Sequence, residues 1–142
     1  MQTFLPYPDF AESARVLDRQ RLGKQRVENL QIMKALTTGE GWINHPATKM
    51  WRGHEDWLLV YQQAVCSEWT EVRGYKDTCW EKTRTLFLEG QPGGILNGPP
   101  TWLGNEDFHA AHRSNLLRKN PEWYGQFGWT EPDDLEYVWP VR

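Results

Sequence analysis

Two cysteines, Cys66 and Cys79, are all the thiol chemistry in this 142-residue chain, too few for a disulfide framework. It has no apolar run of the ~20 residues a membrane helix needs. Its start lacks a basic segment followed by an apolar one. The expectation is a reduced, cytoplasmic protein that touches no membrane. There is no GxxxxGK loop ending in Ser or Thr, no GxGxxG, and the HEDW of residues 54–57 is not HExxH. His109 and His112 stand three apart, but no Cys or acid at ligand spacing completes a metal set beyond nearby Asp107. No Ser/His/Asp or Cys/His arrangement stands out. The chain also lacks internal repeats, a useful length of alternating strand pattern and an interdomain linker, which leaves one domain over residues 1–142.

What is abundant is tryptophan, nine in all. Indole rings fill cores and also stack on nucleobases, so both readings stay open. The net charge of -3 argues against a general nucleic-acid binder. Its distribution matters more. Glu131, Asp133, Asp134 and Glu136 crowd the tail, while Arg15, Arg19, Arg21, Lys24 and Arg26 face a single nearby acid, Asp18.

Hydrophobic spacing predicts an all-α fold of about four helices, with an N-terminal arm (MQTFLPYP) and an irregular acidic C-terminal tail. The first helix is expected over residues 10–36, capped by Asp9, bent or divided at Gly23 and closed by Gly39 and Gly41. Pro46 is placed to open a second helical region, weak at Gly53 and ending at Gly74. Thr78 and Glu81 have capping-box spacing for a helix to about Leu88. QPGGILNGPP (91–100) reads as a loop, and Asn105 caps a helix through Lys119. Pro121 restarts an aromatic turn. Cys66 lies on an apolar helical face and reads as core.

On the first long helix Arg21, Lys24 and Glu28 fall at i, i+3 and i+7, with Arg15, Arg19 and Arg26 in a neighbouring stripe. Spacing alone allows a solvated face or a phosphate-binding ridge holding one carboxylate.

Three separated patches carry a resemblance: MQTFLPYPDF followed by LDRQRLGKQRVENLQIMKAL; NHP (44–46) with RGYKDT (73–78); and HRSNLLRKNPEWYGQFGW (112–129). In order and spacing they are similar to the pyrimidine-dimer DNA glycosylases of the phage endonuclease V type. The resemblance implies a compact all-α, metal- and cofactor-independent enzyme acting on double-stranded DNA that is damaged or modified, and a monomer. It implies that an N-terminal amine attacks C1′ and forms a Schiff base, and that a carboxylate assists. The amine would be that of Met1, or of Gln2 if Met1 is removed. Glu28 is the expected carboxylate, ahead of Glu12 and Asp18. Expected DNA contacts are Arg15, Arg19, Arg21, Lys24, Arg26, His45, His112, Arg113, Arg118, Lys119, Trp123 and Tyr124. Many members carry Arg immediately before the Glu, where this chain has Val27. A non-catalytic DNA- or nucleotide-binding module on the same fold is the alternative reading, and a helical small-molecule or protein binder a third.

Overall fold

A computed structural model describes residues 2–90 and 98–140. Among these residues all regular structure is helical: α1 (Phe10–Val16), α2 (Arg19–Thr38), α3 (Pro46–Lys49), α4 (Glu55–Ser67), α5 (Cys79–Gly90), α6 (Glu106–Lys119) and α7 (Pro121–Tyr124). A π-helical turn, Glu68–Val72, extends α4, and a 3-10 turn, Gly125–Phe127, follows α7. No helix among the described residues is long and apolar enough to cross a membrane.

The caps at Asp9, Asn105 and Gly39 are where the sequence puts them. Asp9 accepts from the Glu12 amide, Asn105 from that of Phe108, and Gly39 closes α2 at φ 73°. Only glycine adopts that left-handed geometry without strain. The first helix does not break at Gly23. It breaks at Leu17 and Asp18, because Leu17 turns extended and Asp18 starts a new helix by accepting from the Arg21 amide. Gly23 instead lets a neighbour approach: a Cβ there would lie 3.1 Å from Cη2 of Trp69. The expected capping box at Thr78 is also replaced. Asp77, one residue earlier, accepts from the amides of Cys79 and Trp80 at 3.1 and 2.9 Å. The loop at 91–100 lies outside the described residues up to 97.

Helix α2 packs against α4 and α5, and α1 lies across α4. Leu22, Ile32, Leu58, Phe108, Leu116 and Trp51 are withdrawn from solvent between them. Burying a side chain of this size fully contributes roughly 1.5–3 kcal/mol. Tryptophan serves mostly the core: Trp51 stacks on Tyr61 at 6.0 Å and meets Trp102 edge-on at 4.9 Å. Trp42 and Trp123 are the exposed exceptions. Cys66 is buried as expected, and its apolar setting pushes the thiol well above its usual range.

The N-terminal arm is not a loose extension. Thr3, Phe4, Leu5 and Pro6 are buried, threaded between α2, α4 and α6 with no strand to pair with. Buried backbone groups must still find partners, and side chains supply them. Gln25 Oε1 accepts the Phe4 amide at 2.9 Å, and Tyr61 donates its hydroxyl to the Phe4 carbonyl. Trp51 Nε1 donates to Thr3 Oγ1 at 3.1 Å, and Arg113 donates to the Pro6 carbonyl at 2.7 Å. Leu5 is held at both ends. Its amide donates to Nδ1 of His112 at 3.0 Å, and its carbonyl meets Nδ1 of His109 at 2.8 Å.

These contacts revise one expectation. His112 and Arg113 are buried rather than set out for a ligand, one on Leu5 and the other on Pro6, Glu106 and Glu131. The tail over residues 130–140 has no helix or strand, as the sequence implies. Leu135, Tyr137 and Trp139 turn inward while Glu136, Val138 and Pro140 face solvent, the alternation of an extended strap.

Candidate active site

A cleft of about 940 Å³ runs along the exposed side of α2, with Trp123 and Asn120 also in its lining. Gly23, Val27 and Trp69 give it an apolar floor, and Arg19, Lys24 and Glu28 bring the charge. A second hollow shares Arg19 and Trp123 and continues past Arg15, Arg73 and Tyr75. The two hollows meet at Arg19 and Trp123, and three carboxylates, Asp18, Glu28 and Glu68, stand in their walls.

Burial raises the Glu28 carboxyl above the ordinary value, against the pull of the chain's N-terminal charge, the Gln2 amide and Lys24. The arm therefore runs beside this carboxylate. The next contacts hold that geometry: Gln25 Nε2 donates to the Gln2 carbonyl at 3.0 Å and to Asn29 Oδ1 at 2.8 Å. His45 caps α3, its Nδ1 accepting the Ala47 amide at 3.0 Å. With Nδ1 used as an acceptor, the neutral ring carries its proton on Nε2. Burial, and then the N-terminal charge, lowers the His45 pKa. Met1 itself lies outside the described residues.

The expected cations divide. Arg19 and Lys24 are exposed along the cleft, Arg19 also lying 5.2 Å over the Tyr75 ring. Lys119 has its pKa lowered by partial burial and then by Arg21, Arg118 and Lys24. Lys119 thus stands in a local excess of positive charge with Arg21, Arg118 and Lys24. Arg15 is exposed beside Glu12 at 2.8 Å. Arg21 pairs with Asp18 at 3.1 Å. Arg26 is turned away from the cleft: it pairs with Asp77 and lies 4.4 Å over Trp69, bracing the ring that forms the floor.

Of the aromatic pair, Trp123 lines the cleft and donates Nε1 to the Val16 carbonyl at 2.7 Å. Tyr124 does not line it. It is buried, donating its hydroxyl to Asp18 at 2.7 Å. Asp18, a runner-up carboxylate, is therefore committed. Burial raises its pKa, but hydrogen bonds from Tyr124, Asn120 and Arg21 outweigh this and hold it below the usual range. Glu12 sits on the outer side of α1 with Arg15. Residues that sequence reasoning missed are Gln25, Trp51 and Tyr61 around the arm, and Tyr137 on the strap. The alternation of Leu135, Tyr137 and Trp139 was the available signal for the strap.

A search of curated proteins returns no match, and neither does a search of solved structures. A family model does match, over residues 1–82, which contain the arm, Glu28, Lys24 and Trp69. On that match this chain belongs to the pyrimidine dimer DNA glycosylase family.

Proposed function

We propose that the protein excises pyrimidine dimers, or another damaged base, through its N-terminal α-amine, and then cuts the strand as an abasic-site lyase. The observation that carries this reading is the path of the arm: Gln25, three residues before Glu28 on α2, donates to the Gln2 carbonyl at 3.0 Å. This brings the arm to the one carboxylate that is both in the cleft wall and above its ordinary pKa.

An α-amine titrates near pH ~8, so roughly a tenth is unprotonated at neutral pH. That fraction attacks C1′ and expels the base as positive charge develops on the sugar. Glu28, ionised, stabilises the charge. The C1′–O4′ bond then breaks, O4′ taking a proton, and the iminium so formed makes the C2′ proton acidic. Removal of that proton breaks the C3′–O bond by β-elimination, and Glu28 is placed to relay protons between these steps. The nucleophile is the amine of Met1, with Gln2 taking its place where Met1 is removed. Arg19, Lys24, Lys119 and Arg118 hold phosphates, which offsets the few kcal/mol that unstacking a nucleotide costs.

The test is borohydride trapping of the untagged protein on ultraviolet-irradiated, abasic and intact duplexes, followed by peptide mass analysis. A damage-dependent adduct on the first residue is expected. An adduct on abasic DNA alone would keep the amine chemistry and move the substrate to another base. No adduct on any duplex, with a free amine demonstrated, leaves a DNA-binding module.

A further inference from the structure

Four arginines stand on α1 and α2, and three of them are engaged by carboxylates. Arg15 pairs with Glu12, Arg21 with Asp18 and Arg26 with Asp77. The fourth, Arg19, is exposed and forms no ion pair among the described residues. A ring holds it instead: its guanidinium carbon lies 5.2 Å from the centroid of Tyr75. Tyr75 in turn packs on Trp69 with 4.4 Å between centroids, and Arg26 lies 4.4 Å over Trp69. A chain of contacts thus runs from Arg26 through Trp69 and Tyr75 to Arg19. The backbone fixes the two rings. Gly74 turns the chain at φ 76°, a conformation that suits glycine. Tyr75 then donates its amide to the Trp69 carbonyl at 3.0 Å, and Trp69 Nε1 donates to the Lys76 carbonyl at 2.8 Å.

We infer that Arg19, seated on Tyr75, is a phosphate clamp on the DNA strand where the two hollows meet, and that Tyr75 is its positioning residue. Arg19 and Trp123 are common to both hollows. A strand passing from the Glu28 cleft into the neighbouring hollow therefore passes Arg19. The seat suits an anion. An aromatic ring attracts a guanidinium without consuming its N–H donors, which a carboxylate partner would occupy. Those donors match two oxygens of a phosphodiester. The ring also restrains a long side chain whose ordering would otherwise oppose binding. This deepens the proposed function by naming how the strand is held beside the reacting nucleotide. It depends on DNA lying along the cleft, and not on the amine chemistry.

The test measures binding of the untagged protein to a duplex carrying a tetrahydrofuran abasic analogue, which the amine cannot open, across a salt series. Arg19→Gln should weaken binding and lower the salt slope by about one unit. Tyr75→Leu should weaken binding roughly two- to five-fold, and Tyr75→Phe, which keeps a ring, should restore it. Adding Tyr75→Leu to Arg19→Gln should cost nothing further. An equal loss with and without Arg19 would mean that Tyr75 acts only by packing on Trp69, and overturns its positioning role. A salt slope in Arg19→Gln equal to that of wild type overturns the clamp. Neither outcome depends on borohydride trapping. A protein that traps nothing, yet shows the Arg19 and Tyr75 pattern, loses the amine mechanism and keeps the clamp.

Discussion

Helix α6 turns its polar residues inward, whereas α2 turns Arg19, Lys24 and Glu28 out to the cleft. On α6, His109, His112, Arg113, Ser114 and Asn115 are all buried. The difference follows from what lies against each helix. The inner face of α6 meets two extended segments, the arm and the strap, whose backbone groups need donors and acceptors. The outer face of α2 meets solvent, and its charges remain available to a ligand. Polar side chains thus do structural work in one place and leave chemistry possible in the other.

The contrast can be broken from either side. Glu28→Gln keeps shape and should lower the trapping rate by on the order of 10²–10⁴-fold while thermal stability holds. Single-turnover kinetics beside a melting curve check this, and a large loss of Tm would place Glu28 among the structural polar groups. Arg113→Met should do the reverse. It leaves Glu131 and the Pro6 carbonyl without their partner, and breaking a buried pair costs about 3–5 kcal/mol. Urea denaturation measures that loss, and a stability within error of wild type would remove α6 from its role.

Acid should find the same weak face. Burial, with a smaller push from His109, drives the His112 pKa down to about 3 from the ordinary 6.5. Between those values the unfolded chain binds the proton and the folded one does not. Stability is therefore fully present above 6.5 and is lost as pH falls toward 3. His109 and His45, lowered by burial as well, act with the same sign. His112→Asn should flatten the slope of Tm against pH below 6.5, an outcome that melting in a buffer series reads directly. The smallest effect belongs to the cleft: Lys24→Ala should reduce the salt dependence of DNA binding by about one unit of slope and leave Tm unchanged. An unaltered slope would take Lys24 off the phosphate track.

Much of the helical frame was legible in the sequence, because caps and prolines act locally. Asp9, Gly39, Pro46 and Asn105 each mark a boundary within a residue or two. The break after α1 is hidden in the sequence because Gly23 is a common breaker, while Asp18 reads as one acid in a basic run. In the site, Glu28 and Lys24 stood out through the family pattern, and the structure sets both along the cleft. His112, Arg113 and Tyr124 could not be sorted from Arg118 and Lys119 by spacing, since a polar residue facing a buried backbone has the same letter as one facing solvent. Val27, where many relatives carry Arg, is 42% exposed beside Trp69 in the cleft. This part of the cleft is therefore more apolar than a cation there would make it.

The arm's contacts also set an order of events as the chain is made. Leu5 binds His112 across 107 residues, and Tyr7 accepts from Trp129 across 122. The earlier segment must wait for one made more than a hundred residues later, and closures of such length are slow. A nascent chain holding all of residues 1–82 carries Glu28 but has no seat for Leu5. Maturation of the site therefore coincides with the arrival of α6, and a half-made protein on the ribosome is an unarmed one.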